Sequence, residues 1–135
     1  MQKLVVGLLA LCVLAACAGG TSASITGQWK LVSYGSASSQ TPAASNVDTS
    51  IEFSSDGKLN GNVGCNSFGG DYKVSGDTIT LGPVMSTMMA CLNQSGDQEM
   101  GTLAVLKDSA KFVIAGNQLT ITSADGKFAI VLARK

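Results

Sequence analysis

Cysteine is the side chain with the most chemistry available in this sequence, and it occurs at positions 12, 17, 65 and 91. Histidine is absent from all 135 residues. That removes the commonest general base, every Ser-His or Cys-His nucleophile pair, and the commonest zinc ligand. Four cysteines permit three pairings if all are bridged, so the first question is which of them share a compartment.

The amino terminus answers it. Met1-Gln2-Lys3 is a short basic start, and Leu4 to Ala16 is an apolar run. As a helix at about 1.5 Å per residue it would cover roughly 20 Å, short of a hydrocarbon core of ~30 Å. The segment therefore reads as a signal peptide over residues 1–16. It ends in Leu14-Ala15-Ala16-Cys17, which resembles the bacterial lipobox, where small residues admit the lipoprotein signal peptidase and the thiol receives diacylglycerol. Cleavage by the general signal peptidase after Ala16-Cys17-Ala18, an A-x-A pattern, is the alternative. The Leu and the Cys at their lipobox positions favour lipid attachment at Cys17. Residues 17–24 are then a lipidated tether, small and polar in composition. In enterobacterial sorting Asp after the cysteine retains a lipoprotein at the inner membrane, so Ala18 favours the outer membrane. The expected location is the cell envelope, at the periplasmic face of the outer membrane in a Gram-negative source.

Cys12 leaves with the leader and Cys17 is consumed by lipid, so Cys65 and Cys91 remain. An exported pair reads as a disulfide. Metal binding is the competing reading, but two cysteines without histidine do not complete a tetrahedral zinc shell. A redox pair would ordinarily be C-x-x-C. Closing this loop contributes roughly 3 to 4 kcal/mol on the chain-entropy estimate.

Other constellations point to no reaction. Gly64 and Gly69 have the separation of a phosphate loop, but Gly70-Asp71 stands where Lys-Ser/Thr is required, and an acidic residue there repels phosphate. A corner between strands, with Asn66 satisfying loop backbone groups, is the structural reading. Most aspartates adjoin glycine or lie in turns, and a carboxylate pair such as Glu52 with Glu99 is not revealed by spacing. Without histidine an activated serine needs a lysine base, and none is assigned here. Nine basic residues balance nine acidic ones, and loss of Lys3 leaves about −1. No nucleic-acid partner is expected from that balance. No metal and no cofactor are expected either.

The elements that must position these residues are short strands. Trp29 and Leu31 share one face of a strand over 28–34. Further strands are marked by Ile51 and Phe53, Leu59 and Val63, Tyr72 and Val74, Ile79 and Leu81, Phe112 and Ile114, Leu119 and Ile121, and Phe128, Ile130 and Leu132. Asp56-Gly57, Gly76-Asp77, Gly116-Asn117 and Asp125-Gly126 supply the turns. Ala129 and Val131 suggest that the last strand is covered on both faces. Residues 35–50, rich in Ser, Ala and Thr, read as a long mobile or functional loop. Ser95-Gly96-Asp97-Gln98 has the form of a capping box and predicts a helix near residues 96–108. Met100, Leu103, Ala104 and Lys107 would lie along it at helical spacing, with Gly101 costing about 1 kcal/mol relative to Ala. Met85, Met88 and Met89 read more readily as adaptable core filling than as the lining of a ligand pocket. The expected fold is α+β, mostly antiparallel, with about eight short strands forming a small barrel or roll.

Three motifs carry a family resemblance. Gly27-Gln28-Trp29-Lys30-Leu31 looks like the G-x-W-x-L opening of the META domain of HslJ-like bacterial envelope lipoproteins. Gly61 to Tyr72 is similar to its G-x-x-G-C-N-x-[YF]-x-G-x-Y segment, and Thr87 to Cys91 resembles T-x-M-A-C. Glu99 and Leu106 fall where the family has E-x-x-[FY]-x-x-x-L, but Thr102 replaces the aromatic. The resemblance covers roughly residues 25–133 and places a META domain at 25–135. It implies a lipid-anchored, non-catalytic binding or accessory factor in envelope stress response, secretion or novobiocin tolerance, some members being linked to heat-shock induction. A small periplasmic hydrolase is the alternative class. So is a lipid- or acyl-chain-binding protein like the pilot lipoproteins of secretion systems, by fold analogy. An envelope protein or lipid is the expected partner, met at the 35–50 loop or the Gly64–Tyr72 corner, with Asn66, Phe68 and Tyr72 as contact residues. Because neither histidine nor clustered acids offer a structural metal site, exhaustive chelation is expected to leave the melting temperature unchanged.

Overall fold

Period-two alternation of apolar and polar side chains sets most of the chain into strands. The computed structural model describes residues 23–135. The signal peptide, the lipobox and Cys17 lie outside the described residues. The elements are β1 (Gly27–Ser36), β2 (Ser39–Pro42), β3 (Ser50–Phe53), β4 (Lys58–Asn62), β5 (Ser67–Ser75), β6 (Thr78–Leu81), β7 (Met85–Ser86), α1 (Gln94–Val105), β8 (Ser109–Ala115), β9 (Gln118–Ser123) and β10 (Phe128–Arg134). Every pairing is antiparallel. The order β10-β9-β8-β6-β5-β4-β3-β1 is closed by β1 on β10, giving the expected small barrel of eight strands with one helix. β2 adds to the second half of β1, and β7 pairs with the start of β5.

An eight-stranded barrel is just wide enough for side chains to fill it. Trp29, Ile51, Phe53, Leu59, Ile121 and Ile130 are fully buried. A β-bulge between Leu31 and Ser33 shifts the phase of β1 by one residue. Tyr34 therefore turns inward with Trp29 and Leu31, and all three are buried. On β10 Ala129 is buried as well and Val131 is half-buried, so the outer face of that strand is partly covered.

The stretch 35–50 is not a structureless loop. It continues β1, turns, and forms β2 before the chain reaches β3. Both faces of β2 are largely exposed, which is why it carries no apolar alternation. The connection after it is fixed by Ala43 N–H donating to the Val32 carbonyl at 2.9 Å and by Leu31 N–H donating to Thr49 Oγ1 at 2.8 Å.

The helix is where the sequence expectation needs most correction. It spans Gln94–Val105, and its N-cap is Asn93, whose side chain accepts from Ser95 N–H at 3.1 Å. No Ser95–Gln98 capping box forms. Gln98 instead points inward, its amide donating to the Val63 carbonyl while Oε1 accepts from Ala44 N–H at 3.0 Å. The buried face is Gln98, Glu99, Thr102 and Val105, with Leu103 packed at its margin against the core, while Met100, Ala104 and Lys107 are exposed. Thr102, in the place of an aromatic, satisfies its hydroxyl on the Gln98 carbonyl at 2.7 Å. α1 packs on β1, β9 and β10 and reaches across to the β4–β5 corner, so it closes one end of the barrel. Gly101 is there for space, since a Cβ would lie 2.7 Å from Tyr34 Cδ2.

Gln98→Leu, similar in size, would leave the Val63 carbonyl and the Ala44 N–H unpaired. A loss of about 2 to 4 kcal/mol in denaturant unfolding is expected, whereas exposed Met100→Ala should stay within ~0.5 kcal/mol.

Candidate functional site

The end closed by α1 is built from the corner between β4 and β5. Gly64 takes φ +107°, and a Cβ there would sit 2.4 Å from Val47 Cγ1, so only glycine turns the chain this way. The turn delivers Cys65 to Cys91, which are bridged with their Cα atoms 5.9 Å apart. Asn66, beside the bridge, is buried and uses its whole amide. Nδ2 donates to Glu99 Oε1 at 2.9 Å and to the Met89 carbonyl at 3.0 Å. Oδ1 accepts from Met89 N–H at 2.7 Å and from the Thr87 hydroxyl at 2.9 Å. Its backbone N–H meets Glu99 Oε2 at 2.5 Å. Glu99 is thus a buried carboxylate with both oxygens engaged, and Asn66 knits the corner, the 87–91 segment and α1 into one junction.

Asn66, Phe68 and Tyr72 were expected to form a contact surface. All three are buried, so they do not. The Phe68 ring lies against Gly61, where a Cβ would come within 2.4 Å of it. Tyr72 packs edge-on to Phe53 at 5.1 Å between ring centroids, and its hydroxyl donates to the Ser54 carbonyl at 2.7 Å. These residues are inner wall, because the strand phase of β5 turns Phe68 and Tyr72 toward the core. The expectation for Asn66 as a partner of loop backbone groups is the one that fits.

Five large apolar side chains of this end are exposed beside polar Asn93, Gln94 and Asp97. Met85 is 77% exposed, Met88 95%, Met89 63%, Met100 67% and Leu92 84%. They are not core filling: the barrel is already full, and the backbone of the segment is held at its edge by Asn66 and by pairing of Met85 with Gly69. Met89, Leu92 and Met100 line a groove of about 300 Å³ together with Cys65, Cys91 and Asp97. Periodicity could not find this patch, since methionine reads as apolar whether it is covered or not.

Other candidate chemistry is scattered. Glu52 alternates with the buried Ile51 and Phe53 and so faces outward on β3, while Glu99 points into the junction. The two do not pair. Ser55-Asp56-Gly57-Lys58 has S-x-x-K spacing and lies on the β3–β4 turn. Lys58 Nζ is bonded to Asp71 at 2.6 Å, and that hydrogen bond holds the ammonium above its ordinary pKa. A lysine acting as base needs the opposite shift. The Asp77 carboxyl is held below its usual value by hydrogen bonds from Lys111 and Thr78, and that of Asp125 by Ser123. Both are exposed turn residues. Among the described residues no group of three or more His, Cys, Asp or Glu is placed to hold a metal ion.

Asn66→Ala should cost at least about 3 kcal/mol, because several buried groups lose their partner together. Asn66→Asp should be no better despite its shape, since it sets a second carboxylate against Glu99. Unfolded but unreduced mature protein is expected to leave Cys65 and Cys91 unmodified by maleimide, and two modified thiols would rule the bridge out.

Comparison with known proteins follows from this geometry. The fold is similar to that of a protein from Burkholderia xenovorans solved by NMR, with a TM-score of 0.65, 22% identity and 81% of each chain covered. A second NMR structure matches with a TM-score of 0.61 and 23% identity, over 79% of this chain and 87% of that one. The crystal structure of a DUF4847 family protein from Bacteroides vulgatus matches with a TM-score of 0.57 and 17% identity, over 82% and 93%. No curated protein matches significantly. The family model described as the META domain matches residues 23–135. The motifs that meet at Asn66 therefore sit within a matched span that takes in the whole barrel and its helix, and the chain belongs to the META domain family.

Proposed function

We propose that this is a lipid-anchored cell-envelope protein whose META domain binds a partner and does not turn over a substrate. The observation that carries the reading is the separation of the barrel's two ends. The chain enters at one end, where Ala23 to Thr26 lie beside the β3–β4 and β5–β6 turns. Arg134 stacks on Trp29 at 4.1 Å and donates to the Ser24 and Thr26 carbonyls, both at 3.0 Å. The disulfide, α1 and the exposed apolar side chains are at the other end. β4 alone, running from Lys58 to Asn62, separates the two by roughly 15 Å at ~3.3 Å per residue.

With lipid on Cys17, only residues 18–22 intervene before the domain, at no more than about 3.5 Å each. The entry end then faces the membrane, and the methionine-rich end points away from it toward an envelope partner. The residues favour the outer membrane's periplasmic face in a Gram-negative source. A role in envelope stress, secretion or antibiotic tolerance accords with the family. Acyl-chain storage inside the barrel, as in a pilot-type lipoprotein, is disfavoured by an interior already filled with side chains. A small hydrolase is disfavoured by the lack of histidine, and turnover abolished by a single Asp or Ser change would reinstate it.

Metabolic labelling with an alkyne fatty acid should mark the wild type and not Cys17→Ser, and equal labelling would remove the anchor. Leu92→Asp and Met100→Asp should leave the melting temperature within error yet fail to complement an envelope-stress phenotype in a deletion strain. Complementation by both variants would take the partner site away from this end.

A further inference from the structure

We propose that the methionine-rich end is a site for a soft monovalent metal ion, Cu(I), held by the thioether sulfurs of Met89 and Met100, which line one groove. The proposal rests on reading this end as the binding end and supplies the chemistry of one ligand for it.

The sequence contains five methionines; all four among the described residues are exposed and none serves the core, and two of them, Met89 and Met100, line the groove beside the disulfide. Methionine is ordinarily a gap-filler of interiors. One exposed thioether needs no explanation, but two lining one groove do. Spacing adds to this: Met85, Met88 and Met89 follow as M-x-x-M-M, and Met100 stands with Met89 on the same groove.

Thioethers are neutral, soft donors that select Cu(I) over harder ions. They also survive where thiols do not. Both cysteines of this end are committed to a disulfide, so sulfur ligation in an oxidising compartment falls to methionine. Harder donors that would bring in zinc or calcium are not assembled among the described residues.

The supports are fixed and the side chains are free. Asn66 clamps the backbone of Met89 on both its N–H and its carbonyl, Met85 is tied to Gly69, and Met100 rides on α1. Flexible thioethers on rigid carriers can close on an ion with little rearrangement of the backbone. Asp97, which also lines the groove, adds a carboxylate suited to a single positive charge.

The test uses the mature, disulfide-intact lipoprotein in detergent, titrated anaerobically with Cu(I) against a colorimetric Cu(I) chelator, with Ag(I) as the redox-inert probe. One Cu(I) per chain should be withdrawn from the chelator. The 13C-labelled methyl signals of Met89 and Met100 should shift with Ag(I) and not with Zn(II). Affinity should be flat from about pH 5 to 8, because a thioether has no proton to release, whereas thiolate or imidazole sites tighten as pH rises over that range. The double variant Met89→Leu, Met100→Leu keeps the apolar bulk and removes the sulfur, and should bind at least about tenfold more weakly with the melting temperature unchanged. Undiminished Cu(I) binding by that variant would overturn the proposal. No Cu(I) uptake, with Met100→Asp still abolishing complementation, would overturn the cation site and leave the binding end standing. No uptake together with full complementation by the aspartate variants would remove both.

Discussion

The amide of Asn66 is the point through which the closed end of the barrel holds together. Each of its hydrogen-bonding positions goes to a segment with little other regular attachment: Glu99 on α1, and Thr87 and Met89 on the strand-poor run before the second cysteine. Only asparagine fits. Aspartate lacks the donors that Glu99 and the Met89 carbonyl require, serine lacks the reach, and glutamine adds a methylene to a site that is already closed. The disulfide beside it limits how far the same segments separate in the unfolded chain, while Asn66 sets how they meet in the folded one. A buried carboxylate needs donors, and Glu99 finds them in Asn66. The glycine at 64, the bridge and the helix face are all arranged around that need.

This explains which parts of the molecule were legible in the sequence. Barrel strands have one face inside and one outside, so Trp29 and Leu31, Ile51 and Phe53, or Leu119 and Ile121 announce themselves by alternation. β2 does not, being exposed on both faces, and β7 is too short to show a period. The helix was visible as a helix but its buried face was not. Gln98, Glu99 and Thr102 are buried for the hydrogen bonds they make, and hydropathy has no means of ranking a side chain by the partners it will find. Compartment and elimination made the cysteine pair legible. The motif residues Asn66, Phe68 and Tyr72 were legible as important and misread as surface, because a motif records that a residue is needed without recording where it points. Exposure of the methionines is a tertiary fact: it depends on a core already filled by others.

The eight-stranded barrel is filled by its own side chains, and what it presents to other molecules is its outside. The two ends differ in kind. One gathers residues 23–26 and the last residues of the chain, tied by the Arg134 guanidinium over Trp29. The other gathers a covalent bridge, a helix and exposed apolar side chains on a backbone held by Asn66. Rigidity beneath and adaptability above are what a recognition surface asks of its support, and the junction at Asn66 is how this small chain provides the first without giving up the second.

The Arg134 tie has a mechanical consequence. A pull applied at the amino terminus is delivered first to the guanidinium's bonds with Ser24 and Thr26, and behind them to β1. That strand is held on one edge along nearly its whole length by β10 and on the other by β3 and β2. Tension along its axis loads those ladders in shear, with many hydrogen bonds sharing the force at once instead of parting one by one. A pull from the amino-terminal side is therefore met by the seam that closes the barrel.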